Sequence, residues 1–269
     1  MHNQSQKMEM KVVCMVLMMD FGKIISNSFK YPFRNIKKLP ILFILFILIA
    51  IIPIGVVIDN KYLSIIGLIG FFIFILIVPG YLFSMVKIGL NESSMFPSLD
   101  FGNTVRDSLR VLVLRMVYMI VPACLFFVLL YGLGISVRNI FDMKSVGFLL
   151  TLGVFFLIAL IIYALFEFLL FFAKARLAYL NSLKEALKIH EVIRDIFNIG
   201  ILNIIKWLIV MAILVVAFTF ISAWVIEIPY VGFLIYVSIV IPILESIGNY
   251  SLGLLYSNIA RKNNYLAKY

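Results

Sequence analysis

The stretch Val78–Asp107, VPGYLFSMVKIGLNESSMFPSLDFGNTVRD, leaves one long apolar run and crosses a short polar segment before the next apolar run begins. A shorter segment, Ala175–Asp195, ARLAYLNSLKEALKIHEVIRD, has the same organisation in the second half of the chain. Both segments are rich in charge, and each joins two apolar runs. They predict an internal repeat in which charged connectors link hydrophobic helices. The matching positions are Asn91 with Asn181, and Val105-Arg106-Asp107 with Ile193-Arg194-Asp195.

The composition of the 269-residue chain defines its class. Hydrophobic residues make up 64% of it and charged residues 13%, and the mean hydropathy is +1.13. Soluble domains carry about 45–50% apolar and about 25% charged residues. So few charges cannot cover so much apolar surface in water, which indicates an integral membrane protein. The net charge of +10 then favours contact with a lipid bilayer and its anionic headgroups, and no nucleic-acid partner is expected.

Six apolar runs are each close to the roughly 20 residues that a helix needs to cross the hydrocarbon core. Short gaps follow the first, third and fifth runs, whereas longer connectors, Lys87–Arg110 and Lys174–Lys206, follow the second and fourth. We predict an all-α polytopic transmembrane bundle of six spans, built as three helical hairpins. The predicted spans are Leu39–Ile58, Tyr62–Val86, Val111–Gly134, Gly147–Ala173, Trp207–Ile226 and Tyr230–Tyr256.

The distribution of Lys and Arg predicts the orientation of these spans. Seven of the 23 basic residues precede the first run, four lie from Lys87 to Arg115, six lie from Lys174 to Lys206, and three lie in the tail. The other side of the membrane would hold only Lys61, Arg138 and Lys144. Because basic residues accumulate on the cytoplasmic side, both termini and both long connectors are predicted to be cytoplasmic.

The two ends of the chain differ from the membrane domain, 39–256. Residues 1–18 resemble a loose extension, and residues 257–269 form a charged tail. Residues 19–38 predict an amphipathic helix with an apolar face at Phe21, Ile24, Ile25 and Phe29, which ends at Tyr31-Pro32. Such a basic amphipathic segment suits the cytoplasmic membrane interface, although a solvated leader is the alternative.

Both connectors contain a capping-box pattern, which predicts a short helix in each. The patterns are Thr104-Val-Arg-Asp107 and Ser182-Leu-Lys-Glu185. The helix after Ser182 is predicted to lie on the inner leaflet or to pack under the bundle. Its predicted apolar stripe consists of Leu183, Leu187, Ile193 and Phe197.

Two ionisable residues within spans, Arg115 and Glu167, are predicted to lie at a similar depth in neighbouring antiparallel helices. Arg115 is about 6 Å and Glu167 about 9 Å from the same face, at 1.5 Å per residue. They form a candidate structural ion pair that would hold the two helices together. The alternative for Arg115 is a side chain that extends to the headgroups by itself.

Glu245 is predicted to lie near the middle of the sixth span, on a stripe of small and polar residues that includes Ser238 and Asn249. Pro242 leaves a backbone carbonyl without its donor near this carboxylate. These residues form a candidate intramembrane polar site, for a cation or a proton. The alternative is a protonated Glu245 that is hydrogen-bonded to a neighbouring helix.

No pattern indicates an enzyme, so catalytic, cofactor-binding and metal-binding residues are all predicted to be absent. His2 and His190 have no second histidine or cysteine nearby, and the chain has no phosphate-binding loop, nucleophile elbow or zinc-protease motif. The cysteines, Cys14 and Cys124, lie far apart, which argues against a structural disulfide.

Three short motifs resemble the domain of unknown function 4013 family of multi-pass proteins. They are the leader Met19–Lys38, with its Tyr31-Pro32-Phe33, then Gly80-Tyr81 at the end of a span, and Phe96-Pro97-Ser98-Leu99-Asp100-Phe101 in the connector. The family tends to have Leu-Pro-x-Phe-Asp at the last of these motifs, a conservative difference. The resemblance covers most of Met19–Tyr256 and implies an archaeal cell membrane, with Met19 as the start. It implies no activity and no functional residues.

Two functional hypotheses follow. The first is a structural or accessory membrane protein that acts through lipid, through a membrane-protein partner or as a homo-oligomer. The second is a small transporter or channel that uses Glu245.

Overall fold

The computed structural model describes residues 20–132, 146–228 and 231–266. Within these ranges the chain is helical and contains no strand, which confirms the all-α class. The predicted extension 1–18 and all but the last residue of the predicted loop Ile135–Val146 lie outside the described residues.

Ten α-helices and one π-helical segment follow one another in the described residues. Six helices are long and apolar enough to cross a membrane, which confirms the predicted number of spans. The α-helices are α1 (Phe21–Arg34), α2 (Leu39–Val57), α3 (Lys61–Leu90), α4 (Phe101–Gly132), α5 (Val146–Leu180), α6 (Leu183–Ala186), α7 (Ile189–Ile199), α8 (Ile201–Ile226), α9 (Val231–Ile235) and α10 (Ile241–Leu266), with the π-helix Tyr236–Val240 joining the last two.

Several long helices extend beyond the apolar runs that predict them. The helices α3, α4, α5 and α8 include charged residues of the connectors, and α10 continues through the predicted tail as far as Leu266. The reason is that an apolar run predicts only the part of a helix inside the membrane. The helical backbone continues beyond it until a capping residue ends it. The cap of α8 is Gly200, whose φ of 95° interrupts the helical backbone between α7 and α8.

The helix α3 lies at the centre of the bundle, packed against α2, α4, α5 and α10. It crosses α10 closely at a point formed by Gly89 and Gly253. A Cβ atom at Gly253 would lie 2.2 Å from the Val86 carbonyl oxygen, and one at Gly89 would lie 2.3 Å from the Tyr250 carbonyl oxygen. Only glycine permits backbones to approach this closely, so this pair fixes the register of α3 on α10.

The helix α8 has little protein around it. Its side chains point outward on most sides, including Ile213, Val216, Phe220 and Trp224. In a membrane protein such a surface is the surface that lipid covers. The arrangement of the helices as three membrane hairpins stays a prediction.

The ends of α3 and α5 have the same backbone feature. Glu92, two residues after the end of α3, and Asn181, directly after the end of α5, adopt left-handed φ values of 54° and 52°. The two helices end at Leu90 and Leu180, and the predicted alignment of Asn91 with Asn181 stays a prediction. This end of the bundle, where residues 91–100 and 181–200 lie, is named the connector face below.

The capping box predicted at Thr104 is wrong. The helix α4 already begins at Phe101, with Asp100 before it, and the Asn103 N–H donates to Asp100 Oδ1 at 3.4 Å. Thr104 lies in the first turn and is buried against α3. Asp100, four residues before Thr104, provides the acceptor that the threonine was expected to provide.

The serine cap of the second capping box is confirmed, whereas the Glu185 side chain bonds Lys188, and the apolar stripe beyond it is wrong in part. Ser182 Oγ accepts from the Glu185 N–H at 3.5 Å and begins α6. A break at Leu187-Lys188 then restarts the helical phase in α7, so that Ile193 and Phe197 are exposed. The buried face of α7 instead consists of Val192, Asp195, Ile196 and Ile199.

The leader helix α1 packs on the bundle with most of its predicted face, since Phe21, Ile24 and Ile25 contact the core and only Phe29 does not. Ile24, Ser28 and Tyr31 are buried, whereas Phe29 is 40% exposed. The Tyr31 ring stacks on Tyr250 of α10, with 3.9 Å between the ring centroids. The helix also continues through Pro32 to Arg34, so its predicted end at Tyr31-Pro32 is wrong.

Candidate functional site

The structure brings Arg115 of α4 and Glu167 of α5 into contact through Arg115 Nη2 and Glu167 Oε1. Tyr163, one turn before Glu167, donates its hydroxyl to the same carboxylate oxygen at 2.7 Å. The Arg115 side chain is 55% exposed and that of Glu167 is 30% exposed. The contact is therefore at the outer surface of the helix pair. Its role as a clamp stays a prediction.

Glu245 and Asn249 are adjacent on α10, and they contact α5. Asn249 Nδ2 donates to Glu245 Oε2 at 2.9 Å, and Lys174 Nζ of α5 donates to Asn249 Oδ1. Asn249 is buried, while the Glu245 side chain is exposed. From the sequence, Lys174 was predicted only to be one of the basic residues that orient the second connector. An amide thus links a cation on one helix to a carboxylate on the next.

Ser238 is not part of this chain of hydrogen bonds. It lies in the π-helix, where its hydroxyl donates to the Leu234 carbonyl at 2.6 Å. The π-helix ends two residues before Pro242, whose ring would clash with the carbonyl four residues earlier in a regular helix. A widened turn avoids this clash, and such turns occur frequently at functional sites.

A partly buried ion pair joins α3 to α4 at the connector face. Lys87 Nζ lies 2.5 Å from Asp107 Oδ2, and Arg110 Nη1 lies 3.8 Å from Asp107 Oδ1. Arg110 Nη1 also donates to Asn181 Oδ1, at 2.8 Å, in the second connector. The two connectors are therefore joined to each other as well as to the spans.

A larger polar cluster fixes the second connector. Arg176, near the end of α5, is 7% exposed, and its Nη1 lies 2.5 Å from Asp195 Oδ2 of α7. Its Nη2 lies 3.3 Å from Glu191 Oε2, and its Nε donates to the Glu185 carbonyl of α6 at 3.1 Å. The hydroxyl of Tyr256, on α10, donates to Asp195. These residues, Arg176, Glu185, Glu191, Asp195 and Tyr256, are named the Arg176 cluster.

Sequence reasoning did not find the Arg176 cluster, although one signal for it was present. The matched triplets of the two connectors end at Asp107 and Asp195, and these are the two aspartates that pair with a basic residue at the end of the preceding long helix. The sequence does not show that α7 contacts α5 and α10. These contacts bring Asp195 next to Arg176, which is 19 positions away, and next to Tyr256, which is 61 positions away.

The outer residues of the connector face have ordinary surface chemistry. A hydrogen bond from Lys188 lowers the pKa of the Glu185 carboxyl, with the charges of Lys188 and Arg176 acting in the same direction. His190 is 77% exposed, with its Nε2 3.4 Å from Glu191 Oε1. Among the described residues, no group of three His, Cys, Asp or Glu side chains is placed to hold a metal ion.

The six apolar helices and their charged connectors define a multi-pass membrane protein. Residues 62–227 match the family described as "Protein of unknown function (DUF4013)", and because this match covers more than half of the 269 residues, the chain belongs to that family. No curated protein and no solved structure matches the chain.

Proposed function

We propose that this integral membrane protein is a structural or accessory protein, without enzymatic activity, that acts through lipid or through a membrane partner. Its working surface would be the connector face, which the Lys and Arg distribution predicts to be cytoplasmic. The proposed location is the cell membrane of an archaeon, as the family resemblance implies.

The observation that carries the proposal is how the buried charges are used. Arg176 is bonded to three acidic or carbonyl groups on α6 and α7, and Asp195 is bonded on a second side by α10. Lys87 and Asp107 make a corresponding bond between α3 and α4. Buried pairs of this kind contribute little net stability, and we infer that here they specify which helices lie next to each other. The result is a connector surface of fixed shape, which is what a docking partner requires.

The experiment isolates the protein from its native membranes after mild cross-linking and identifies any companion present in stoichiometric amount. Asp195→Asn removes the charge that Arg176 requires, so we expect the companion to be lost while the helix content remains. Glu227→Gln changes an exposed carboxylate at the opposite end of α8 and should leave the companion bound. If the companion binds the Asp195→Asn variant at the wild-type ratio, the connector face is not the surface that binds it.

The second candidate function is a small transporter or channel, and the Glu245–Asn249–Lys174 hydrogen bonds favour it. A carboxylate in an apolar span is by default a candidate ion or proton site, and π-helical turns occur frequently at functional sites. Reconstituted vesicles distinguish the two candidates. Ion or proton flux that Glu245→Gln abolishes and Glu227→Gln preserves would favour transport, whereas full function in vivo with Glu245→Gln would exclude it.

A further inference from the structure

A groove runs between α4 and α5 on the membrane side of the Arg115–Glu167 contact. It has a volume of about 520 Å³, which lies within the roughly 300–1,000 Å³ typical of ligand sites. Its walls are apolar and include Pro122, Phe126, Phe156 and Ala159. Arg115 and Tyr163 line one end of it, so the groove is polar at a single end.

The length of the groove corresponds to one leaflet of a bilayer. Its lining on α4 runs from Arg115 to Phe126, which is about 16 Å at 1.5 Å per residue. The hydrocarbon core of a bilayer is about 30 Å thick, so the groove spans about half of it. Phe156 and Tyr163 are 66% and 45% exposed, so the groove is open along the side of two apolar spans, where a membrane protein meets lipid. Its natural occupant is therefore a single hydrocarbon chain of one leaflet.

The polar end of the groove determines the headgroup. A guanidinium carries five N–H donors. Arg115 donates from Nη2 to Glu167 and also interacts with the Tyr163 hydroxyl, and its side chain is still 55% exposed. From its predicted depth of about 6 Å, a long arginine side chain can extend to the headgroups, so its remaining donors can reach a lipid phosphate. Phosphate oxygens are the acceptors that arginine binds in pairs and most strongly.

We propose that this groove binds one anionic membrane amphiphile, with its hydrocarbon chain between α4 and α5 and its phosphate on Arg115. This inference rests on the proposed function, because it names the lipid class through which such a protein would act. Glu167 competes with the phosphate for Arg115, and it therefore adjusts the affinity of the site.

The test uses the full-length protein in nanodiscs that contain phosphatidylcholine and a small fraction of phosphatidylglycerol with a photoactivatable acyl chain. The cross-linked residues are mapped by mass spectrometry, and the same measurement is made with labelled phosphatidylcholine. We expect adducts from phosphatidylglycerol on the groove residues of α4 and α5, and fewer from phosphatidylcholine. Adducts of both lipids spread equally over α8 would overturn the proposal.

Charge variants test the headgroup. Arg115→Gln should lower the phosphatidylglycerol adducts about ten-fold, the effect of losing a charge-assisted contact. Arg106→Gln removes the same charge from an exposed position on the same helix and should leave the yield within about two-fold of wild type. Glu167→Gln should keep or raise the yield, because it removes the competing carboxylate. A loss in Glu167→Gln as large as in Arg115→Gln would contradict the proposal, since the pair would then matter only for folding.

A steric variant tests the chain, and it keeps the experiment decisive if Arg115→Gln does not fold. Ala159→Phe fills the groove without changing any charge and should reduce the adducts of both lipids there. Ala217→Phe makes the same change on the lipid-exposed surface of α8 and should have no effect. An unchanged yield with Ala159→Phe would overturn the proposal. These readouts need no protein companion, so failure of the proposed connector-face partner leaves them interpretable.

Discussion

The partners of the charged side chains differ between the connector face and the membrane spans. The charges at the connector face, such as Asp107 and Asp195, are buried and paired with a cation on another helix. Further into the membrane, Glu245 is bonded to the neutral Asn249, and Arg115 remains 55% exposed. Because an unpaired charge costs more as water becomes scarce, pairing across helices is the arrangement that physical chemistry favours for buried charges. The less enclosed pair, Arg115–Glu167, is where a measurement is most informative.

We predict that Arg115 and Glu167 are energetically coupled. In a double-mutant cycle with Arg115→Gln and Glu167→Gln, the double variant should lose less stability than the two single losses added together, because the second change removes a charge that already lacks its partner. The expected coupling is about 0.5–2 kcal/mol, the range found for polar contacts between membrane helices. The measurement is equilibrium unfolding in detergent micelles. Additive losses would show that the contact does not act as a clamp.

The helices themselves show what periodicity and hydropathy can predict. The six spans and the class follow from run length, because no water-soluble alternative can hold such segments. The buried face of α7 does not follow from the apolar pattern. The break at Leu187-Lys188 shifts the helical phase, so residues predicted to be buried are exposed. The start of α4 was misplaced for a similar reason, since Asp100 and Thr104 are both acceptable caps and only the packing of Thr104 on α3 decides between them.

At the crossing of α3 and α10 we predict a strong effect of one methyl group. Gly253→Ala should destabilise the protein by about 1–3 kcal/mol, because the new Cβ atom would lie 2.2 Å from the Val86 carbonyl oxygen. The control on the same helix is Gly248→Ala, where the nearest atom would be Met211 Cε at an ordinary 3.5 Å. That variant should be neutral or gain up to about 1 kcal/mol from helix propensity. Midpoints of thermal unfolding in micelles compare the two, and equal shifts would disprove the close crossing.

The whole molecule combines two similar connectors into one charged face. In each connector an aspartate bonds a basic residue near the end of the preceding long helix, as Asp107 bonds Lys87 and Asp195 bonds Arg176. Arg110 then joins the first connector to Asn181 of the second. The sequence showed the repeated triplets but not these bonds, because each bond depends on how long helices pack rather than on local pattern. If the two connectors form one surface, both must lie on the same side of the membrane.

We predict that single cysteines placed in the two connectors are labelled from the same side, and cysteines in the short loops from the other. In a background without Cys14 and Cys124, the connector sites are the exposed Ser94 and Asn198, and the loop sites are Lys61 and Glu227. A membrane-impermeant maleimide added to intact cells should label Lys61→Cys and Glu227→Cys, because the few basic residues predict that side to face outward. Ser94→Cys and Asn198→Cys should react only after the cells are opened. Labelling of Ser94→Cys and Asn198→Cys from opposite sides would contradict the contact between Arg110 and Asn181, and labelling of both in intact cells would invert the orientation while leaving the shared face intact.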